Sequence, residues 1–561
     1  MIMPNVWGQG ALFAFSGLDG PCCPPECMNG SLLGDLLGVR LRGREEALDL
    51  YFSLRYIRDI RYDLVSSDLI LAFLTDRGGH EFPLILTFLD QVTVAGLCPP
   101  GSLRLRMVDT EGTPENCGFY LFREDREEGT VFTLSLREAV PVTPREVETL
   151  RDKRLNYYRA FRDRMPEKAE DRQLLLKCIS VMRSQVYSPC GMFRQRWTTP
   201  DRIPHAMLWL WDSVFHSFGM IHMETELARD ALQSVLDTQQ SSGMIPHMAR
   251  PHTVSGITQP PVLAWGILRY LERTGDRDFA ARAVPKLRRY LEWNRENRMD
   301  AETGLYGWYI REDMPRNRCD ESGMDNSPRF DHPRPMGCVD FCTFMVQEMQ
   351  CMAGILSCLG EDGEDWDRQA RDLKERVNRC LWDEESGLYT DLDLRSGEKT
   401  LVFSCASFLP LLAGIPTPEM AGKMARALTD PDAFGTPLPL PTIARSHPLY
   451  GTDMWRGPVW INMNYMTALG LRAYGMTELA DSLILKTVEN IRRFYLTDGV
   501  VYEMYDPQGL NSPRALYRKG PVVEPYAPEV RYQTIRDYGW TATLCAAMML
   551  ENPSLFGIPE A

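Results

Sequence analysis

A chain of 561 residues is long enough to bury more than one hydrophobic core, so a large domain with a smaller partner is expected. Its composition, 44% hydrophobic and 25% charged, is that of an ordinary globular protein, and a formal net charge of -14 speaks against a general binder of phosphate backbones, which needs a basic surface or stripe. No nucleic-acid partner is expected, and the basic run at 151–164, interleaved with acids before and after, reads as the solvated face of a helix.

The amino-terminal MIMPNVWGQGALFAF has no basic segment ahead of an apolar one, and no run of 18 or more uninterrupted apolar residues occurs, so neither a signal segment nor a membrane partner is expected. The 15 cysteines are odd in number and scattered, and CCPPEC at Cys22 to Cys27 lacks both a second closely spaced pair and a nearby histidine. That argues against a closed zinc site, and free thiols in a reducing, cytoplasmic setting are the expectation.

Before about residue 140 the pattern favours strands. DLILAFLT, EFPLILTFLDQVTVAG, GSLRLRMVD, NCGFYLFRE and GTVFTLSLREAV are short, rich in Val, Ile, Leu, Phe and Thr, and separated by Gly, Pro, Asp and Asn, as in an antiparallel sheet or sandwich. From Val140, VPVTPREVETLRDKRLNYYRAFRDR opens with Thr-Pro and a glutamate-rich turn, the signature of a helix start, and reads as a linker over 141–167.

After about residue 168 the period is helical. Twelve helices are expected, over 170–186, 205–219, 222–238, 259–273, 278–296, 338–358, 363–380, 402–413, 417–428, 460–476, 477–495 and 536–550. Short junctions alternate with long ones, which suggests helical hairpins in a ring with the long loops at one end; no standard solenoid repeat is visible.

The long junctions hold the chemistry-bearing residues: WLWDSVFHSFGM at Trp209, SSGMIPHMARPHTVSGITQPP at Ser241, ESGMDNSPRFD at Glu321, GTDMWRGPVWINMNYM at Gly451 and GVVYEMYDPQG at Gly499. Most set tryptophan, tyrosine, amides or carboxylates beside glycine or proline. Such loops describe a pocket with flat apolar walls and many hydrogen-bonding groups, as a pyranose ring requires. His247 and His252 stand five apart in a proline-rich loop without a third ligand, and the acidic stretches at 300–304 and 383–387 fall short of an EF-hand; polar lining rather than a metal site is expected.

WLWDS, GMIPHM, QPP before a helix, SGMDNSPRFD, WRGPVWIN, YEMYDP and a terminal GWTATLCAA, in that order over roughly 168–550, resemble the signatures of glycoside hydrolase family 63, inverting α-glycosidases, and more distantly the family 37 trehalases. The resemblance implies a mainly α fold, an (α/α)6 toroid with an N-terminal β-rich domain, and with the strand and helix patterns above the chain divides into a β-sandwich-like domain over 1–140, the linker helix over 141–167 and a catalytic domain over 168–561. It implies Asp325 as general acid and Glu503 as general base. On chemistry alone Glu321 and Asp331 compete with the first as turn caps or partners of Arg329, and Asp506 competes with the second.

Trp211 and Asp212 resemble a sugar-gripping pair, or else start a core helix. Gln259 resembles a substrate contact or a helix cap. Arg456 is expected to grip a hydroxyl or carboxylate, with a structural salt bridge as its alternative; Trp460 would stack on the ring, and Trp540 would close the pocket floor or belong to the core.

The expected activity is exo-acting inverting hydrolysis that releases a terminal sugar, α-glucose first, from short α-glucosides or a glucosylated small molecule. An α-mannoside- or trehalose-type hydrolase and a non-catalytic carbohydrate-binding protein are the alternatives, the last expected to lack one of two carboxylates that are both present. The chemistry calls for no metal and no organic cofactor, and a small oligosaccharide or glycoside is the expected partner. The N-terminal region supports the ring or walls off its cleft.

Overall fold

The computed structural model describes residues 2–43, 45–110, 112–520 and 533–559. Among them, eleven strands between Leu12 and Ser135 form two antiparallel sheets. The first, in spatial order, is β1 (Leu12–Ala14), β2 (Asn29–Leu32), β3 (Gly38–Arg42), β4 (Ala47–Phe52) and β9 (Leu103–Val108). The second is β10 (Tyr120–Arg126), β11 (Gly129–Ser135), β8 (Thr93–Cys98), β7 (Glu81–Asp90), β6 (Leu69–Asp76) and β5 (Ile57–Val65).

Rings meet between the sheets, Phe13 with Phe88 at 4.8 Å and Phe52 with Phe132 at 6.3 Å between centroids, as expected when the apolar sides of alternating strands face each other. Strands β8 and β11 are buried along their whole length. Both of their faces are therefore covered, and the helix α1 (Pro144–Arg159) supplies cover by packing on β7 and β8.

Thr143 starts α1 through a capping box: its hydroxyl accepts the Glu146 N–H while the Glu146 carboxylate accepts the Thr143 N–H, and Pro144 occupies the first turn, where no N–H is needed. The solvated-face reading of this segment fails at Arg154. That guanidinium is buried and pairs with Asp19 and Asp68, beside Arg183, whose Nε donates to Asp68 at 2.9 Å. Two acids from the β-rich region lie opposite these arginines, and only the fold brings them there.

The ring consists of α2 (Ala169–Ser184), α3 (Leu210–Met220), α4 (Thr225–Asp237), α5 (Leu263–Thr274), α6 (Arg277–Arg298), α7 (Val339–Leu359), α8 (Glu364–Leu381), α9 (Pro418–Thr429), α10 (Ile461–Ala473), α11 (Thr477–Asp498) and α12 (Gly539–Glu551), with a 3-10 segment at Cys405–Leu411. Side by side, α3, α5, α7, the 3-10 segment, α10 and α12 form the inner circle, and α12 closes on α3. The other six lie outside, with α2 backing α12, so the first and last helices of the ring complete one hairpin.

Inner α3 and α12 are buried on every side, as a helix apolar all round must be, whereas outer α8 buries a single stripe of Trp366, Ala370, Leu373, Val377 and Leu381. Helix α7 is long and apolar enough to cross a membrane, yet it sits in the inner circle against α5, α6 and α8. Its Glu348 carboxylate accepts the Ala264 and Trp265 N–H groups at 2.8 and 2.9 Å and so caps α5.

The segment expected as a helix at 402–413 is 3-10 instead. Pro410 lies inside it and cannot donate to a carbonyl four residues back, while Ser404 and Ser407 cap its start. Close approach of α10 adds a constraint: a Cβ on Gly470 would lie 2.6 Å from that of Leu411.

The free-thiol expectation fails for two cysteines. Cys23 and Cys190 join as a disulfide across 167 positions, linking the strand region to the start of the ring. The other thirteen cysteines are free.

A buried ion cluster sets the entry to α7. The Arg329 guanidinium donates to both oxygens of Asp340 at 2.7 and 2.8 Å and both of Asp391 at 2.8 Å, and Asp391 also accepts the Val339 N–H at 2.9 Å. Cys338, Asp340 and Asp391 bring three potential metal-ligand atoms together, but the guanidinium already satisfies both carboxylates. Arg329→Met would leave two buried carboxylates without their cation. A loss of about 3–5 kcal/mol of stability is expected, and denaturant unfolding would measure it; Arg329→Met with Asp340→Asn and Asp391→Asn should recover part of that loss.

Candidate active site

Residues at or just before the N-termini of inner helices converge on one cavity of about 300 Å³: Trp209, Trp211 and Asp212 of α3, Gln259 ahead of α5, Trp460 ahead of α10, and Tyr538 and Trp540 of α12. Helix N-termini present unpaired N–H groups and the positive ends of their dipoles, so the cavity is electrostatically suited to carboxylates and hydroxyl oxygens. Asp325 and Glu503 also line it.

The loop ahead of α7 is folded by its own polar side chains. Ser322 Oγ donates to the Cys319 carbonyl at 2.8 Å and accepts the Met324 N–H at 3.0 Å. Gly323, at φ 71°, lies against Trp211, where a Cβ would come within 2.2 Å of the indole. Only glycine fits that turn and that approach.

The three acids of this loop separate by partner. Glu321 is buried and fully used: it accepts from Arg298 at 2.9 and 2.7 Å and from the Thr258 and Tyr309 N–H groups at 3.2 and 2.8 Å. Asp331 pairs with Arg456. Asp325 faces the cavity, paired with Lys519. The next residue anchors the loop, since Asn326 Oδ1 accepts the Trp455 N–H at 3.0 Å.

Glu503 sits on a strand-like segment whose N–H donates to the Ile535 carbonyl at 3.0 Å. Arg518 Nε donates to its two carboxylate oxygens at 3.0 and 2.8 Å. Arg518 Nη2 also lies 3.3 Å from His205 Nε2, and His205 Nδ1 lies 2.7 Å from Asp201. With Nε2 accepting from a guanidinium, the imidazole proton belongs on Nδ1 toward Asp201. Asp506 is occupied elsewhere, accepting the N–H groups of Gln508, Leu510 and Asn511 at 3.2, 3.2 and 2.9 Å and so closing a turn.

The apolar wall is a set of crossed rings. Trp540 meets Trp211 edge-on at 5.1 Å and Trp460 at 5.4 Å, and Trp460 stacks on Trp455 at 4.3 Å. Gln259 Oε1 accepts the Trp211 N–H at 3.2 Å, so it both caps α3 and borders the cavity. Arg456 does not line the cavity; its guanidinium is drawn to Asp331, the salt-bridge alternative.

Several lining residues carried no usable sequence signal. Arg518 and Lys519 stand in LYRKG, Asp320 and Asn317 precede the glycine turn, and Tyr538, His205 and Arg250 flank recognised motifs. The one available hint was a pair of adjacent cations in an acidic chain.

Protonation within the cavity is uneven. Burial raises Asp212 well above the usual carboxylate range, and the negative charges of Asp201 and Glu503 add to this. Burial and the charge of Asp325 lift Asp320 to about 6, and burial brings His247 down to about 4, so that it lines the site as a neutral ring. The arrangement offers carboxyls in contrasting settings, one against an ammonium and one against a guanidinium, beside an aromatic wall.

A family model described as the mannosylglycerate hydrolase MGH1-like glycoside hydrolase domain matches residues 204–541. Mannosylglycerate hydrolase of Thermus thermophilus is 30% identical over 398 residues, covering 54% of this chain and 91% of that protein. Mannosylglycerate hydrolase MGH1 of Selaginella moellendorffii is 25% identical over 475 residues, 66% of this chain and 92% of that protein. The crystal structure of a Thermus thermophilus family 63 mannosylglycerate hydrolase in complex with glucose superposes with a TM-score of 0.54 at 25% identity, covering 67% of this chain and 99% of that one.

The raised Asp212 generates a pH test. The folded state binds its proton more tightly than the unfolded state does, so this group's contribution to stability falls as pH rises above about 4. Asp212→Asn should flatten that part of the stability profile and match or exceed the unsubstituted protein at pH 8, as read by denaturant unfolding at several pH values.

Proposed function

The chain belongs to the mannosylglycerate hydrolase MGH1-like glycoside hydrolase family, and from that premise we propose that it releases one α-linked hexose, mannose in the first instance, from a small glycoside whose aglycone carries a carboxylate, as glyceric acid does. The observation that carries this reading is the single cavity that holds Asp325 and Glu503 together with the cations Lys519 and Arg518. Sequence reasoning put α-glucose first. The names of the relatives favour the α-mannoside alternative, while the glucose held by the Thermus structure keeps glucose as the second reading.

In the proposed reaction Asp325, protonated, gives its proton to the glycosidic oxygen as the bond to the anomeric carbon breaks. Glu503 takes a proton from the water that attacks that carbon from the opposite face. One water is consumed, the sugar leaves with inverted configuration, and solvent returns both carboxyls to their starting states. Arg518 holds the Glu503 carboxylate through an Nε–H shared between its two oxygens.

Trp211, Trp460 and Trp540 pack the C–H faces of the ring, and Asp212 and Gln259 take hydroxyls. A partner lacking one of those hydroxyls leaves a buried polar group unpaired, which is the physical basis of selectivity. A cavity of about 300 Å³ fits exo-action on a terminal residue better than cutting inside a polymer.

Purified protein incubated with α-mannosylglycerate, α-glucosylglycerate, trehalose, α-linked disaccharides and a polysaccharide should release hexose from the two glycerates and leave the polymer intact. NMR during turnover should show the β-anomer first. Early accumulation of the α-anomer would sink the inverting assignment, and exclusive cleavage of trehalose would sink the anionic aglycone.

Roles separate by leaving group. Asp325→Asn should lose about 10²–10⁴-fold on the glycosides and much less on an α-glycosyl fluoride, whose departure needs little proton assistance, whereas Glu503→Gln should fail on both.

A further inference from the structure

Hydrolysis by two carboxyls does not of itself call for a cation on the acid, yet Lys519 puts one there. Its ammonium pairs with Asp325 and donates to Asn317 Oδ1. Its backbone, in the left-handed region at φ 60°, is held by the N–H donated to Asp453 Oδ1 at 2.9 Å. Both members of the ion pair line the cavity and remain open to it, with 19% and 18% of their side-chain surfaces exposed.

The ion pair uses Asp325 as an acceptor, whereas the reaction uses it as a donor. An ammonium held against a carboxyl favours its ionised, accepting form. Drawing the ammonium away favours the form that can donate.

Resting on the function proposed above, we propose that Lys519 is a substrate-operated latch on the general acid: the carboxylate of the aglycone draws its ammonium off Asp325, and Asp325 then takes up the proton that it delivers. A lysine suits this role, because its point charge rides on a four-carbon stem that can swing between acceptors while the backbone stays fixed.

The surroundings supply the proton logic. Asp320 lies in the same cavity, lifted to about 6 by burial and by the charge of Asp325, and its Oδ1 is buried without a hydrogen-bond partner among the described residues. Among the described residues, Arg311 lies toward Asp320 and Asp453 behind Lys519, Arg250, Arg518, Glu503 and Asp212 line the same cavity, and His247 faces it as a neutral ring. Once the ammonium turns to a substrate anion, Asp320 and Asp325 face each other with one cation fewer, and neighbouring carboxyls do not both stay ionised. One negative charge enters with the aglycone and one proton enters from solvent, so the net charge of the cluster is conserved.

Selection for an anion then appears in kcat as well as in binding, because an uncharged aglycone leaves the latch closed. The test compares the proposed anionic glycoside with its carboxamide, the same shape without the charge, on the intact protein and on Lys519→Met, Lys519→Arg and Asp325→Asn, each with its melting temperature checked. The unsubstituted protein should favour the acid by about 100-fold, mainly in kcat. Lys519→Met should raise turnover of the carboxamide and lower that of the acid, bringing the two within about tenfold, and Lys519→Arg should keep much of the preference.

Equal loss on both substrates in Lys519→Met would make Lys519 a structural residue, and a rise in KM for the acid with kcat unchanged would make it a plain anion contact; either overturns the latch. Retention of activity on both by Asp325→Asn would instead remove the acid assignment on which the latch rests.

Discussion

Asp537 is the buried point on which the site depends. Its carboxylate accepts the Leu12 N–H from β1 at 2.8 Å, the Lys177 ammonium from α2 at 2.7 Å and the Val501 N–H at 3.2 Å, while its carbonyl accepts from Gln185 at 3.0 Å. Those bonds tie the strand region, the outer helix that closes the ring, and the segment that carries Glu503 to the residue just ahead of Tyr538 and Trp540. Asp537 itself is in the left-handed region at φ 55°, a conformation that a short polar side chain tolerates and a dense set of partners can hold. The β-rich region thus takes part in positioning the end of the ring that holds the cavity.

The second constraint is the direction of the inner helices. Because the N-termini of α3, α5, α10 and α12 border the cavity, loops entering them are short of helical geometry and rich in Trp, Gly and Pro, and their side chains converge. A scaffold of this kind holds carboxyls in different electrostatic settings within one small volume. Asp325 meets an ammonium, Glu503 a guanidinium N–H shared between its two oxygens and backed by His205 and Asp201, and Asp212 meets burial and other acids. Acid and base chemistry require such contrasts.

Loop fixation is also shared among ions that never reach the cavity. Glu321 with Arg298, Asp331 with Arg456, and Arg329 with Asp340 and Asp391 pin the loop that presents Asp325 on three sides. Buried Glu321 and the Arg329 cluster are far better placed than a surface contact to restrain backbone, because a buried ion left without its partner is costly, while Asp331 and Arg456 stay partly exposed. The loop can therefore present one acid to the cavity while its neighbours are spent on structure.

What the sequence by itself determined is the local grammar: strands before residue 140, helices after 168, glycine- and tryptophan-rich junctions, and a family resemblance carried by those junctions. These features depend on residue type and spacing along the chain, so they can be read without partners. The glycine of the SGMDNSPRFD junction, the helix start at Thr143 and the periodic stripes of the outer helices all belong to this class. What only the tertiary structure decided is the choice among equivalent partners. Glu321, Asp325 and Asp331 were alike as acids on one loop, Arg456 had a hydroxyl or a carboxylate to choose from, Arg154 looked solvated, and Cys23 had no visible mate. Closing the ring and laying the sheets on it set Arg298, Lys519, Asp331, Asp68 and Cys190 opposite them. Charge pairing and disulfide formation act over a few ångströms in space, and sequence distance carries no information about that length.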